Sequence, residues 1–226
     1  IIRGDDGSLL RIVEEKDADE FEKAIEEINS GVYAFDAVKL AGAIGKLRND
    51  NAQGELYLTD VIEILRNEGG KIAAVCIDDI TETLGVNDRV QLAEAAALLR
   101  DRINEKLMRS GVTIVDPTTT WVDATSVISQ DVVLLPGTTI SGESTIGTGA
   151  VIGPRTTLFN CTVANGAEVK ESYATSAVIG ESASVGPFTY LRPGTNLSAN
   201  TRAGAFVEMK NATLGEGSKV PHLSYV

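Results

Sequence analysis

From Ile128 onward the chain carries an aliphatic residue at every sixth position: Ile128, Leu134, Ile140, Ile146, Ile152 and Leu158. An amphipathic helix would return its apolar face every three or four residues, and plain strand alternation would also fill the even positions between. A period of six describes instead one short strand and one corner of a β-helix, whose stacked units bury together an apolar face that none could bury alone. At about 3.3 Å per residue, six residues span roughly 20 Å. Three such faces make a coil of about eighteen residues, with Ile128 stacked under Ile146 and Leu134 under Ile152. The comb loses phase between Leu158 and Ile179, where Val163 and Val169 are six apart but fit neither neighbour. Ile179, Val185, Leu191 and Leu197 restore it, and Leu214, Val220 and Val226 give a third run. Gly137, Gly142, Gly147 and Gly153 fall where corners need close turns or positive φ. Such a ladder fills a narrow core, so chemistry has to come from residues that depart from it.

Upstream of the comb the pattern is mixed α/β. Residues 9–14 and 31–35 read as strands and residues 71–77 as a third, while residues 17–27 are dense in acids and read as a solvated face. Residues 37–47 and 56–66 carry helical spacing, the second with Leu58, Val61, Ile62 and Leu65 on one side. Residues 90–108 hold the longest helical signal, with Leu92, Ala95, Ala96, Leu99, Ile103 and Leu107 near helical spacing, and read as a connector. Gly111 ends it, a short strand follows over residues 112–115, and Asp116-Pro117 opens the repeat. The boundaries are therefore residues 1–88, a connecting helix at 89–111, and the β-helix at 112–226.

The balance of 20 basic against 32 acidic residues, a net charge of −12, disfavours a phosphate-backbone partner, so no nucleic acid is expected. No apolar stretch approaches the length a bilayer requires, so no membrane segment is expected. Cys76 and Cys161 lie in segments that read as different domains, which argues against a disulfide and for a reducing cytoplasm. The chain opens on Ile1 rather than Met, and its start reads as a cut.

Among residues that break the comb, His222 is the only histidine and follows Pro221. One histidine without a Cys cluster cannot make a His-rich zinc site. Arg192 and Lys210 lie one eighteen-residue coil apart, so both emerge at one corner on successive turns, a geometry suited either to gripping a phosphate or to two solvated cations. The polar runs at residues 26–31, 49–53 and 85–89 sit at element junctions, where α/β folds carry ligands and where Asn, Asp and Gly also simply form turns.

Taken together, seven segments resemble one bacterial family, the bifunctional N-acetylglucosamine-1-phosphate uridyltransferases and glucosamine-1-phosphate N-acetyltransferases. They are Ile12-Val-Glu-Glu-Lys-Asp-Ala18, Glu27-Ile-Asn-Ser-Gly31, Asn51-Ala-Gln-Gly-Glu-Leu-Tyr-Leu-Thr-Asp60, Gly85-Val-Asn-Asp-Arg-Val-Gln-Leu92, Gly186-Pro-Phe-Thr-Tyr-Leu-Arg-Pro-Gly194, Phe206-Val-Glu-Met-Lys210 and Pro221-His-Leu-Ser-Tyr225. The resemblance implies a Rossmann-like partial domain, the C-terminal half of a uridyltransferase. There Glu14 and Asn29, with Tyr57 and Thr59 nearby, would contact UDP-N-acetylglucosamine, and Asn87 would ligate the Mg²⁺ that serves attack of the sugar phosphate on UTP. Asp88 stands where the family commonly has Asn. For the repeat it implies the N-terminal coils of a left-handed parallel β-helix of hexapeptide repeats, trimeric, acetylating glucosamine-1-phosphate from acetyl-CoA. His222 would be the general base, and Arg192, Lys210 and Tyr225 would hold the sugar phosphate. The product would serve cell-wall peptidoglycan and lipopolysaccharide synthesis.

The resemblance departs at both ends. The family's Gly-rich nucleotide loop is absent at the start, and further coils are absent after Val226, so both sites are expected to be incomplete here and this chain alone to catalyse neither reaction. One alternative is a different sugar-1-phosphate nucleotidyltransferase whose β-helix only oligomerises, which would not need His222. A non-catalytic β-helix would not bind UDP-N-acetylglucosamine, and a metal hydratase on the same fold would need several histidines.

Overall fold

Nineteen strands of two or three residues, from Thr113–Ile114 to Lys219–Val220, form three parallel sheets of seven, six and six strands. Each strand pairs with the strands one coil before and after it, giving a parallel β-solenoid. It belongs to the second of two units, Ile1–Gly85 and Val86–Val226, in a computed structural model that describes all of residues 1–226. We call its sheets the first, second and third faces, beginning at Thr113–Ile114, Trp121–Val122 and Val127–Ile128 respectively.

Ile128 lies opposite Ile146 and Leu134 opposite Ile152, as the spacing predicts. The apparent loss of phase is corrected by the register. Val163 pairs with both Ile146 and Ile179, and Val169 with both Ile152 and Val185, so both are in step in space. The slip resides in the corners: Leu158 to Val163, Val169 to Ala174 and Ala174 to Ile179 are steps of five residues. Ala174, Ala203 and Met209 take inward positions that a search for large aliphatics passes over, and each is fully buried.

Two residues before most inward residues lies a second buried position, usually filled by a small side chain such as Thr138, Ser144, Ala150, Thr156, Cys161, Thr189 or Thr195, and by Val at Val112, Val132 and Val207. The narrow coil favours a small residue there, and the small ones are often hydroxylated. Thr138 Oγ1 donates to the Leu135 carbonyl (2.7 Å), Ser144 Oγ to Ser141 (2.8 Å) and Thr189 Oγ1 to Gly204 (2.7 Å), so these buried hydroxyls are satisfied. Corner glycines serve as expected at Gly137 (φ 73°) and Gly142 (φ 68°). Gly147 serves through close approach, since a Cβ there would stand 2.5 Å from Asn165 Oδ1.

The long helix Arg89–Arg109 starts on the Asp88 side chain, which accepts from the Gln91 amide, and packs Ile103 and Leu107 on the solenoid core. Asn104, 1% exposed, donates from Nδ2 to the carbonyls of Pro117 (3.0 Å) and Thr120 (2.9 Å), and the Arg100 guanidinium lies 5.0 Å from the Trp121 ring centre. The helix thereby closes the first coil, which would otherwise expose its core.

The first unit is built differently. Ile2–Arg3 and Leu9–Arg11 form an antiparallel pair, followed by helices Glu20–Lys23, Ala37–Ile44 and Asp60–Asn67 and a 3-10 turn at Ile80–Thr83. Leu9, Ile12 and Ile62 make one small core, and Ala43, Val61 and Leu65 another. The strands expected at residues 31–35 and 71–77 are not formed, and the Rossmann-like parallel sheet is not seen in this unit. A strand exists through its ladder, and β-propensity measures fit to a half-buried pleated surface; Val32 and Val75, 79% and 88% exposed, have no such surface. The helix expected over residues 56–66 begins at Asp60 because Leu56 and Leu58 are exposed, outside the buried stripe of Val61, Ile62 and Leu65.

Candidate functional site

On the second face, Tyr173, Tyr190, Glu208 and Tyr225 follow one another on successive coils, linked by the pairings Tyr173↔Tyr190 and Tyr190↔Glu208 and the bridge Glu208↔Tyr225. Strand side chains alternate, so with Leu191 and Met209 buried these residues face outward. Arg192 and Lys210 follow two residues after Tyr190 and Glu208. Their amides donate to the carbonyls of Met209 and Val226, each at 2.9 Å, which continues the same register and sets Arg192 one coil from Lys210. The coil spacing is about 4.8 Å. Arg192 is not idle: Nη1 donates to Glu208 Oε1 at 3.0 Å, and its guanidinium carbon lies 6.0 Å from the Tyr190 ring centre.

His222 is exposed and occupies the corner between the first face, ending at Val220, and the second, at Tyr225. Its carbonyl accepts from Ser224 Oγ at 2.9 Å, and Leu223 N donates to the Ala205 carbonyl at 3.0 Å. This corner is unusual. Arg155, Glu171, Phe188, Phe206 and Leu223 hold φ of 47°, 44°, 58°, 57° and 51°, where the other corners use Gly, Asn, Asp or Ser. Bulky side chains rarely adopt left-handed backbone, and such outliers gather at functional sites. Phe188 and Phe206 stack with centroids 5.1 Å apart, both more than half exposed. His222, Tyr225, Arg192 and Lys210 thus lie within successive coils around one corner and one face.

In the first unit, Thr59 Oγ1 donates to Glu14 Oε1 at 3.0 Å. Glu14 and Asn29 line one cleft of about 430 Å³ with Ile12, Glu22 and Glu27. Asn29 Nδ2 donates to the Tyr33 hydroxyl at 2.6 Å, and its Oδ1 accepts from the Gly31 amide. Tyr57 reaches this patch through Asp17: its hydroxyl donates to Asp17 Oδ2 at 3.0 Å and accepts from Gln53 Nε2 at 2.9 Å. Desolvation first, then the carboxylates of Glu63, Glu14, Asp17 and Asp50, raise the Asp60 carboxyl above its ordinary value. The structure therefore gathers Glu14, Asn29, Tyr57 and Thr59 in one unit. Asn87 belongs to the other, one residue before the helix cap, where its amide donates to Gln91 Oε1 at 2.7 Å. Its side-chain oxygen is a hard donor that suits Mg²⁺ as a single ligand, and no group of three or more His, Cys, Asp or Glu side chains is arranged to hold a metal.

Two residues not singled out in the sequence stand beside Arg192, namely Tyr190 and Glu208. Their signal was the same eighteen-residue step that relates Arg192 to Lys210, since Tyr190 and Glu208 share it two positions earlier.

No helix is long and apolar enough to cross a membrane. No family model matches the chain. Among curated proteins, the bifunctional protein GlmU of Mycolicibacterium vanbaalenii is 56% identical over 226 residues, all of this chain and 46% of that protein. The GlmU proteins of Corynebacterium efficiens (54%, all of this chain, 46% of that protein) and Streptomyces avermitilis (52%, 99% of this chain, 46% of that protein) are similar in the same way. The chain spans about half the length of the curated relatives it matches. Among solved structures, a GDP-perosamine N-acetyltransferase from Caulobacter crescentus, in complex with CoA and GDP-perosamine, is 19% identical with a TM-score of 0.40, covering 55% of this chain and 59% of that one.

Proposed function

We propose, from the premise that this chain is related along its whole length to the bifunctional GlmU proteins, that it carries parts of two transferase sites of UDP-N-acetylglucosamine biosynthesis. In the second unit the reaction is acetyl transfer from acetyl-CoA to glucosamine-1-phosphate. The observation that carries this reading is the stacking of Arg192 over Lys210, with Tyr225 and His222 on the coil that follows. Two cations carried by backbones one coil apart suit a phosphate dianion, and Arg192 brings a planar fork for two of its oxygens. Tyr225 would donate to the same ligand. His222 takes a proton from the 2-ammonium group onto an imidazole nitrogen. The freed lone pair then attacks the thioester carbonyl, the new bond being N–C and the broken one C–S, and the departing thiolate takes up the second proton that the nitrogen sheds as it becomes an amide. A near-neutral base suits an amine that is otherwise protonated. On this reading the solenoid is a left-handed β-helix of hexapeptide repeats, assembles as a homotrimer and works in the cytoplasm.

The first unit is read as part of a Rossmann-like uridyltransferase domain, residues 1–88, joined by the helix at 89–111. There Glu14, Asn29, Tyr57 and Thr59 meet UDP-N-acetylglucosamine, formed from UTP and N-acetylglucosamine-1-phosphate. Mg²⁺ would neutralise phosphate charge, with Asn87 Oδ1 as one ligand. The partners are small molecules and not nucleic acid.

His222→Ala in the full natural chain carrying this sequence should lower acetyl transfer by at least about 10², with uridyl transfer within a few fold. Steady-state assay of both reactions checks this. Acetylation near the unsubstituted rate would sink the base assignment, whereas no acetylation by the unsubstituted protein would favour a nucleotidyltransferase whose solenoid only oligomerises.

A further inference from the structure

We propose that Tyr190 is a positioning residue for Arg192 that presents the guanidinium to the sugar phosphate. This rests on the reading of Arg192 as a phosphate ligand. A guanidinium offers two kinds of surface: its faces take an aromatic ring, and its N–H edge takes oxygens. In this structure the two are divided between different residues. The Tyr190 ring centre lies 6.0 Å from the guanidinium carbon, while Glu208 accepts from Nη1 at 3.0 Å.

The ring is itself held. Tyr190 pairs with Tyr173 one coil away, and the two rings meet edge to face with centroids 5.4 Å apart. Tyr190 also pairs with Glu208 on the other side, so ring, guanidinium and carboxylate share two adjacent coils. Glu208 alone would be an ambivalent anchor. Its charge attracts Arg192 but also competes with an incoming phosphate for the same N–H edge, whereas the neutral ring restrains the guanidinium without occupying that edge. Removing the π-face should therefore let the side chain fold further onto Glu208 and weaken sugar-phosphate binding, with the chemical step unchanged once substrate is bound.

The test is acetyl-transfer kinetics on the full natural chain carrying this sequence, varying glucosamine-1-phosphate at saturating acetyl-CoA and then the reverse. Tyr190→Leu keeps apolar bulk without the ring. It should raise KM for the sugar phosphate about threefold to fivefold and leave kcat and the acetyl-CoA KM within about twofold. Tyr190→Phe, which keeps the π-face, should restore the KM. If Tyr190→Leu leaves KM unchanged while Arg192→Ala raises it, the positioning role is wrong and the phosphate reading stands. If Arg192→Ala also leaves it unchanged, the reading of Arg192 fails first. A Tyr190→Leu enzyme with kcat and both KM values altered together would mark the residue as merely structural and overturn the proposal. Absence of turnover in the unsubstituted protein would overturn both.

Discussion

In Val86–Val226 each coil repeats the packing of the last, with an inward residue and a second residue two positions before it on each face, and the result is one continuous core from Val112 to Met209. In Ile1–Gly85 the buried residues fall into two separate clusters, Leu9, Ile12 and Ile62 in one and Ala43, Val61 and Leu65 in the other. The hydrophobic material is not scarce there: Phe21, Val32, Val38 and Val75 are all more than three-quarters exposed. What differs is pairing. A solenoid coil finds its hydrogen-bond and packing partners about one coil away in sequence, whereas residues 31–35 and 71–77 have apolar side chains without a ladder. Periodicity thus secures a core by local means, and an aperiodic unit depends on long-range partners for every strand.

The largest contrast should appear in amide hydrogen exchange. Amides at residues 31–35 and 71–77 should open at close to no free-energy cost, while the Tyr190 amide, bonded to the Val207 carbonyl at 2.9 Å, should open only near the global cost of the solenoid. Equal protection in the two places would break the comparison. Next comes Leu191→Ala, which empties a fully buried position on the second face. It should destabilise the solenoid by about 2–5 kcal/mol. The single tryptophan, Trp121, lies on the solenoid and reports its urea transition by fluorescence. Protection of the helix Asp60–Asn67 should not change, and a parallel loss there would show that the units do not hold their stability separately.

The smallest effect concerns pH. Asp60 has its folded pKa raised, chiefly by desolvation and then by four neighbouring carboxylates, so the folded state holds its proton more firmly than the unfolded one. The contribution of Asp60 to the stability of the first unit should therefore fall as pH rises from the unfolded value near 3.8 through the raised folded value, opposite in sign to the contributions of Asp6 and Glu27, whose carboxyls are lowered by their hydrogen bonds to Ser8 and Arg3. Asp60→Asn should remove that contribution and leave a steeper rise of stability with pH, measured by exchange in Asp60–Asn67 across the window, with the Trp121 transition unmoved. An unchanged slope in the variant would assign the pH response to other groups.

The solenoid was legible in the sequence because its inward ladder is large, aliphatic and periodic. Where the inward residue is Ala174 or Ala203, hydropathy no longer marks it, and where a corner shortens by one residue the period breaks although the register does not. Arg192 and Lys210 were legible as a stacked pair from their spacing. Their engagement was not, because spacing relates backbones and cannot tell which way a guanidinium leans. In the first unit the helices Ala37–Ile44 and Asp60–Asn67 were legible from their helical spacing, whereas Glu20–Lys23, which buries no residue, was not. The strands were overestimated, because Val, Ile and Tyr in residues 31–35 and 71–77 express a preference that only a neighbouring strand can satisfy.

The five-residue steps at Leu158 to Val163, Val169 to Ala174 and Ala174 to Ile179 also change how a position in this molecule is named. A residue's address is a face and a floor, and its sequence number is only an approximate route to it. A one-residue deletion at a corner leaves every later residue on its own face and floor, so the columns stay aligned. Insertions and deletions confined to corners should therefore be tolerated, whereas one inside a strand would turn an inward aliphatic to solvent. Two solenoids of this kind can drift apart in length and still bring the same side chains to the same spot, provided they are aligned floor by floor.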